Sequence, residues 1–254
     1  MRPLHVRGCG LWTPGFASWP ARAAGARDPR IAEPPCADVP ARLLRGTSTV
    51  TRLAIEVTAQ AAKEGGAALA DVATVFASEL GEVQTAVTLL AMIRAEGLPS
   101  PMRFKNSVHN TASGTASIAW QNTRFSTALS AGPDLVAMGL LEAWAWLDLH
   151  GGDLALSFAE EEIPAPLPGH GSYPALGVAF LLSTRPGGAH GVTLDALRCD
   201  ASVGPAVAPA GHAGDACAPA LALLDAVTGR RAATVPLSLD AGSPWCVDVR
   251  PGAP

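Results

Sequence analysis

This sequence is short of charge. Only 16% of its 254 residues are Asp, Glu, Lys or Arg, against 48% hydrophobic ones. A fold with so little charge must hide much of its surface, which points to a partner subunit. A basic footprint is missing too: the formal net charge is −4, and the sixteen arginines and two lysines form no stripe. That balance argues against a nucleic-acid partner. No run of about 20 apolar residues is present to span a bilayer, and no lysine-led apolar leader opens the chain. The expectation is a cytoplasmic protein with reduced thiols and no membrane span.

Recognisable site motifs are equally scarce. Cys9, Cys36, Cys199, Cys217 and Cys246 are odd in number and widely spaced, with no C-x-x-C. Buried free thiols are expected, not a disulfide framework. The histidines at 5, 109, 150, 170, 190 and 212 read as isolated, so no metal site is expected. Gly8-Cys9-Gly10 lacks the third glycine and the helix opening of a dinucleotide site. Ala128-Leu129-Ser130-Ala131-Gly132 lacks the first glycine of G-x-S-x-G, and Gly169-His170-Gly171-Ser172 sits in a proline-rich loop without a preceding strand. No repeat of about 20 to 50 residues recurs.

What is present is an alternation of helix and strand signals. Residues 3–8 alternate as a half-buried strand, which Gly8, Gly10, Pro14 and Gly15 are expected to break. Residues 16–40 have little periodicity and read as a long mobile loop. Thr47-Ser48-Thr49 offers N-caps for a helix carrying Val50, Leu53, Ala54, Val57 and Ala61, ended by Gly65-Gly66. A buried strand, 72–77, and a helix, 83–95, come next. This rhythm implies one α/β layered domain with a parallel sheet. Further on, 153–158 reads as a strand, with Glu160-Glu161-Glu162 as its solvated end. Segments 175–183 and 192–199 read as a strand pair across Pro186-Gly187-Gly188. A loop at 201–214, a helix at 218–227 and an apolar segment at 245–249 close the chain.

The centre of the sequence is Ser100 to Trp146. A polar lead-in with Asn106, Ser107, His109 and Asn110 opens a small-residue helix, then a short strand, 124–129, then a turn and an apolar helix. Ser126-Thr127-Ala128-Leu129-Ser130 thus falls at a strand-to-helix elbow, which presents one side chain with a helix dipole behind it. The residue at its tip is Leu129. Ser130 is the neighbouring candidate nucleophile. His109 is a hydrogen-bonded turn organiser or, alternatively, part of a ligand site.

Phe104-x-Asn106-Ser107-Val108-His109-Asn110, Ser126-Thr127-Ala128-Leu129, Gly139-Leu140-Leu141-Glu142-Ala143 and Val75-Phe76-Ala77-Ser78-Glu79-Leu80-Gly81-Glu82 resemble the β-ketoacyl synthase-like N-terminal family over roughly residues 45–185. The chain is similar, too, to the small chain-length-factor-like subunits of aryl polyene pathways, which pair with a true ketosynthase. The resemblance implies a thiolase-type α/β fold with a complete N-terminal half and a much reduced second half, 186–254. It places Leu129 where a ketosynthase has the cysteine of S-T-A-C, ionised by a helix N-terminus to accept an acyl chain. The family's two later histidines, in H-G-T-G-T and N-x-F-G-F-G-G, have no match after residue 180. Gly211-His212-Ala213-Gly214 is no substitute for them. The resemblance therefore implies a catalytically silent subunit without a cofactor. It would pair with a β-ketoacyl-ACP synthase in polyketide, aryl polyene or fatty-acid-like elongation and meet the acyl carrier protein through that partner. Ser107, His109, Asn110, Phe125, Ser126, Thr127, Leu129 and Met138 are the interface and tunnel candidates. An acyltransferase using Ser130 or another nucleophile, and a self-associating structural subunit, are the rival readings.

Overall fold

The computed structural model describes residues 2–164, 167 and 173–252; Gly169-His170-Gly171-Ser172 lies outside the described residues. The elements, in order, are β1 (Leu4–Trp12), α1 (Trp19–Ala23), α2 (Ala41–Leu44), α3 (Thr49–Glu64), β2 (Ala73–Ala77), α4 (Val83–Glu96), α5 (Pro101–Lys105), α6 (Thr111–Trp120), β3 (Ser126–Leu129), α7 (Leu135–His150), β4 (Asp153–Glu160), β5 (Leu176–Ser183), β6 (Val192–Cys199), α8 (Ala218–Thr228), β7 (Ala233–Pro236) and β8 (Trp245–Pro251). Helix α3 starts where the sequence puts it: the Ser48 hydroxyl accepts the Thr51 N–H at 3.1 Å, supplying one of the partners that a first turn lacks.

The strands form one sheet in the order β3-β2-β4-β5-β1-β6-β8-β7. It is mixed, not parallel as the helix–strand rhythm implied. Strands β3, β2 and β4 run parallel, while β5 is antiparallel to both β4 and β1. No helix lies between β4 and β5 among the described residues, so no crossover brings the chain back to the same end. Nor do β5 and β6 pair with each other. Strand β1 lies between them, because the turn joining them passes over it. At Gly188 (φ +132°) a Cβ would lie 2.5 Å from the Val6 carbonyl oxygen, so only glycine lets the turn cross this close.

Strand β1 also runs four residues past Gly8, where the sequence pattern ended it. The glycines there serve packing instead: a Cβ on Gly10 would sit 2.1 Å from the Val57 carbonyl of α3. Helices α3 and α6 cover one face of the sheet, with Phe76, Ala155, Ala179 and Leu181 pointing at them. Helices α7 and α8 cover the other, against Val75, Leu154, Leu156, Phe158, Val178 and Phe180. The two sets interleave with the period of two that a strand buried on both faces requires. Residues 16–40, expected as a loop, contain α1 and are fastened to the body. Trp19 Nε1 donates to Glu64 at 3.0 Å, Arg22 pairs with Asp225 at 2.6 Å, and the Cys36 N–H reaches Glu56 at 2.8 Å. All five cysteines are free and only Cys199 is exposed. No helix among the described residues is long and apolar enough to cross a membrane.

Candidate functional site

The elbow forms as the sequence indicates. Strand β3 sits at the edge of the sheet beside β2, in the register Thr74↔Ser126 to Ala77↔Leu129. The Ser126 hydroxyl accepts from Thr74 Oγ1 at 2.8 Å. A one-turn 3-10 helix, Gly132–Asp134, separates the elbow from α7. Leu129 is half-buried and packs, with Met138 of α7, on the core between the sheet and α7/α8. Thr127 is half-buried on the same edge strand. Phe125, 37% exposed, lies at the far end of β3, stacked on Trp146 with ring centroids 5.6 Å apart.

Beside Leu129 runs the turn from β2 into α4. The Ser78 N–H donates to the Leu129 carbonyl at 3.1 Å, and Ser130 Oγ donates to the Glu79 carbonyl at 2.9 Å. His109 Nε2 donates to the Ser78 carbonyl at 2.8 Å, which joins the Ser-Val-His-Asn segment to the elbow through this turn. Ser107 and Asn110 are not brought in: Ser107 Oγ bonds the Phe104 carbonyl at 2.9 Å, and Asn110 is exposed.

Under this turn lie two carboxylates that the sequence pattern assigned to solvent. Glu160 is 0% and Glu161 1% exposed. Period two sends them to opposite layers, as adjacent strand residues must go, but both layers are protein here. Glu161 faces the α3/α4 layer and accepts the Val50 N–H at 3.2 Å and the Gln84 N–H at 3.3 Å, two first-turn donors of those helices. Glu160 accepts Ser78 Oγ at 2.9 Å and the Glu79 N–H. Burial raises both: Glu160 to about 8, helped by the Asp215 and Glu79 charges, and Glu161 to about 7, helped by the Glu82 charge. The bonds from Ser78 and Glu79, and from Val50 and Gln84, oppose these rises.

Two histidines are less isolated than their spacing implied. His212 Nδ1 is 2.8 Å from Asp215 Oδ2, a pairing only three residues apart and so within reach of a local pattern. His190 meets Glu64 at 3.0 Å across 126 positions, which no local pattern could reveal. Asp215 also accepts the N–H of Cys217 at 2.9 Å. Neither pair makes a nucleophile of its neighbouring thiol: burial, then nearby carboxylate charge, pushes Cys9 and Cys217 well up. Cys36 is pushed up to about 12 by burial and the Glu56 charge. Ser130 gives its proton to a carbonyl oxygen, which cannot remove it, so among the described residues no base holds its hydroxyl.

The model for "Beta-ketoacyl synthase, N-terminal domain" matches residues 16–235. No curated protein matches the chain. Among solved structures, a chain of the complex of the ketosynthase ApeO with its chain length factor ApeC from Xenorhabdus doucetiae superposes with a TM-score of 0.70 at 21% identity, over 98% of this chain and 100% of that one. The ishigamide ketosynthase/chain length factor gives 0.59 at 15% identity, over 96% and 85%. A β-ketoacyl synthase from Burkholderia phymatum STM815 gives 0.63 at 13%, over 91% and 79%. These likenesses fix the fold as the thiolase-like layered α/β type, and the family match, over most of its length, makes this chain a member of the β-ketoacyl synthase N-terminal domain family.

Proposed function

We propose that this chain is the catalytically silent, chain-length-factor-like partner of an active β-ketoacyl-ACP synthase in type II polyketide or aryl polyene chain elongation. The observation that carries the reading is Leu129 at the tip of the elbow, on a strand whose outer edge pairs with no other strand among the described residues. A leucine has no lone pair with which to take an acyl group from a thioester. Among the described residues the adjacent Ser130 meets a carbonyl and no base, and no cysteine falls within residues 126–130.

The open edge suggests what the elbow does instead. Phe125 and Leu129 carbonyls bond inward to Thr74 and Ser78, so by the alternation of a strand the amides of Ser126 and Ala128 point outward. A counterpart strand pairing there would extend the sheet across a pseudo-two-fold axis. Solved chains of the same fold come from complexes described as ketosynthase with chain length factor, which supports this arrangement. Phe125, Leu129 and Met138 then lie at or next to the interface and bear on the acyl tunnel from that side.

Co-expression with a ketosynthase that has S-T-A-C at its elbow, followed by sizing and elongation assays, tests the proposal. The expected result is a stoichiometric heterodimer on which the ketosynthase depends. A chain that stays separate while the ketosynthase works fully alone overturns it, and a stable homodimer with no affinity for ketosynthase replaces it with a structural role.

A further inference from the structure

On the side of the molecule where α1 crosses β1, three side chains from distant parts of the sequence converge. A Cys9 thiol, a Glu64 carboxylate and a His190 imidazole present ligand atoms that all lie within 4.8 Å of one another. Cys9 is on β1, Glu64 closes α3, and His190 is in the turn that leads into β6. Cys9 and His190 are 2% and 5% exposed.

The three are held by the fold around them. Glu64 Oε2 accepts the Cys9 N–H at 2.5 Å and stands 3.0 Å from His190 Nε2, while Oε1 accepts Trp19 Nε1 at 3.0 Å. Trp19 also meets the His190 ring edge-on, at 5.4 Å between centroids. The His190 carbonyl receives Arg230 Nε at 2.7 Å. A cleft of about 290 Å³, lined by Ser18, Trp19, Gln60 and Lys63, opens onto Cys9 and Glu64.

We infer that Cys9, Glu64 and His190 form a binding site for a divalent zinc-class cation, with a fourth position open to water from the cleft. Thiolate, imidazole and carboxylate are the donors zinc takes, and three protein ligands plus water is a common zinc set. Tetrahedral zinc bonds of about 2.0–2.3 Å place ligand atoms roughly 3.4–3.8 Å apart, so the widest gap, up to 4.8 Å, closes by about 1 Å while His190 Nε2 and Glu64 Oε2, 3.0 Å apart, open slightly. Charge favours this: one thiolate and one carboxylate neutralise one dication, where the Cys9 thiolate alone is costly to bury. One proton is released on binding: the cation displaces the Cys9 Sγ–H proton to solvent, while His190 binds through Nε2 as the neutral imidazole with its proton on Nδ1. The filled site ties β1, α3 and the turn before β6 together beside the Trp19 segment.

The test is metal titration of the full chain, stripped with chelator and then given zinc chloride or cobalt chloride. Expected are one bound zinc per chain, a thiolate-to-cobalt charge-transfer band, and a melting temperature raised by zinc. His190→Gln and Cys9→Ser are each expected to weaken binding roughly 100-fold or more, exceeding the loss typical of outer-shell changes, whereas Cys199→Ser, at an exposed thiol, leaves it intact. Substoichiometric zinc, a cobalt spectrum without the thiolate band, or binding that survives His190→Gln overturns the assignment. Should Cys9→Ser fail to fold, the cobalt band of the unaltered chain and the His190→Gln titration decide between the two outcomes. The readout is binding, so it stands or falls independently of the ketosynthase pairing.

Discussion

Strands β1 and β3 both have a side that no neighbouring strand pairs fully, and the protein treats those sides differently. Beyond Val6, β1 has left β6 behind, and its own α3 supplies the missing acceptors: Glu64 takes the Cys9 N–H and Gln60 takes the Leu11 N–H at 3.1 Å. The Trp19 segment then lies over them. Strand β3 pairs only with β2, and its outward amides meet no side chain among the described residues. An edge meant to stay private is satisfied from within. One left bare is a template for another strand, a liability that natural proteins usually blunt or cover.

The sharpest break of that contrast is at Ala128. Proline there removes an outward N–H without touching the β2 ladder, a position where edge strands tolerate proline. Ala128→Pro is expected to abolish co-elution with the ketosynthase while the melting curve of the chain alone moves by no more than about 1 kcal/mol. Retained pairing would show that β3 is not the contact. The private edge breaks differently. Glu64→Ala strips the acceptor from the Cys9 amide, Trp19 and His190 together, and is expected to cost about 2–4 kcal/mol in denaturant unfolding with no effect that depends on the partner.

A third test concerns what props the open edge. Glu160 holds Ser78 and Glu79, which in turn hold Leu129 and Ser130. Its folded value, about 8, lies above the ordinary 4.5, so the folded state binds the proton more tightly. Its contribution to stability is therefore whole at acid pH, below that ordinary value, and is lost as pH rises towards about 8. The steepest loss is about 1.4 kcal/mol per pH unit. Glu161 adds the same sign over the narrower window up to about 7. Glu160→Gln, an uncharged stand-in for the protonated acid, is expected to flatten the curve between these limits; an unchanged pH profile would mean that the carboxyl is already ionised when folded.

Much of the open edge is legible in the sequence, and little of the private one. The elbow residues are contiguous, so their strand, turn and helix signals fall in one window, and Leu129 can be placed at the tip from that window alone. The cap on Ser48, helix α3 and the buried β2 are local facts of the same kind. Cys9, Glu64 and His190 meet only because β1 lies between β5 and β6, an order that no periodicity encodes. The acidic run misleads for a related reason. Alternation says correctly that Glu160 and Glu161 part company, but whether solvent or helices wait on each side depends on where α3, α4, α7 and α8 pack. Four-residue β7, with only Val235 buried, is too short to show any period.

Gln60 gives the finest measure of the contrast. Its Oε1 is the acceptor for the fully buried strand residue Leu11, while its Nε2 donates to Ala17 and Glu56, both at 2.9 Å. Gln60→Ala removes the acceptor but keeps a residue that favours helix, so α3 itself loses only the side-chain bond from Gln60 to Glu56. Water from the cleft beside Gln60 can reach the freed amide, which limits the cost to about 1 kcal/mol. Hydrogen exchange reads this directly. In the unaltered chain the Leu11 amide should be protected and the Ala128 amide fast. Gln60→Ala should speed exchange at Leu11 up to roughly tenfold, the equivalent of about 1.4 kcal/mol, and leave Ala128 as it was. Adding the ketosynthase should slow Ala128 and leave Leu11 unchanged. If both amides responded to the partner, the two edges would form one interface, and the distinction between them would fail.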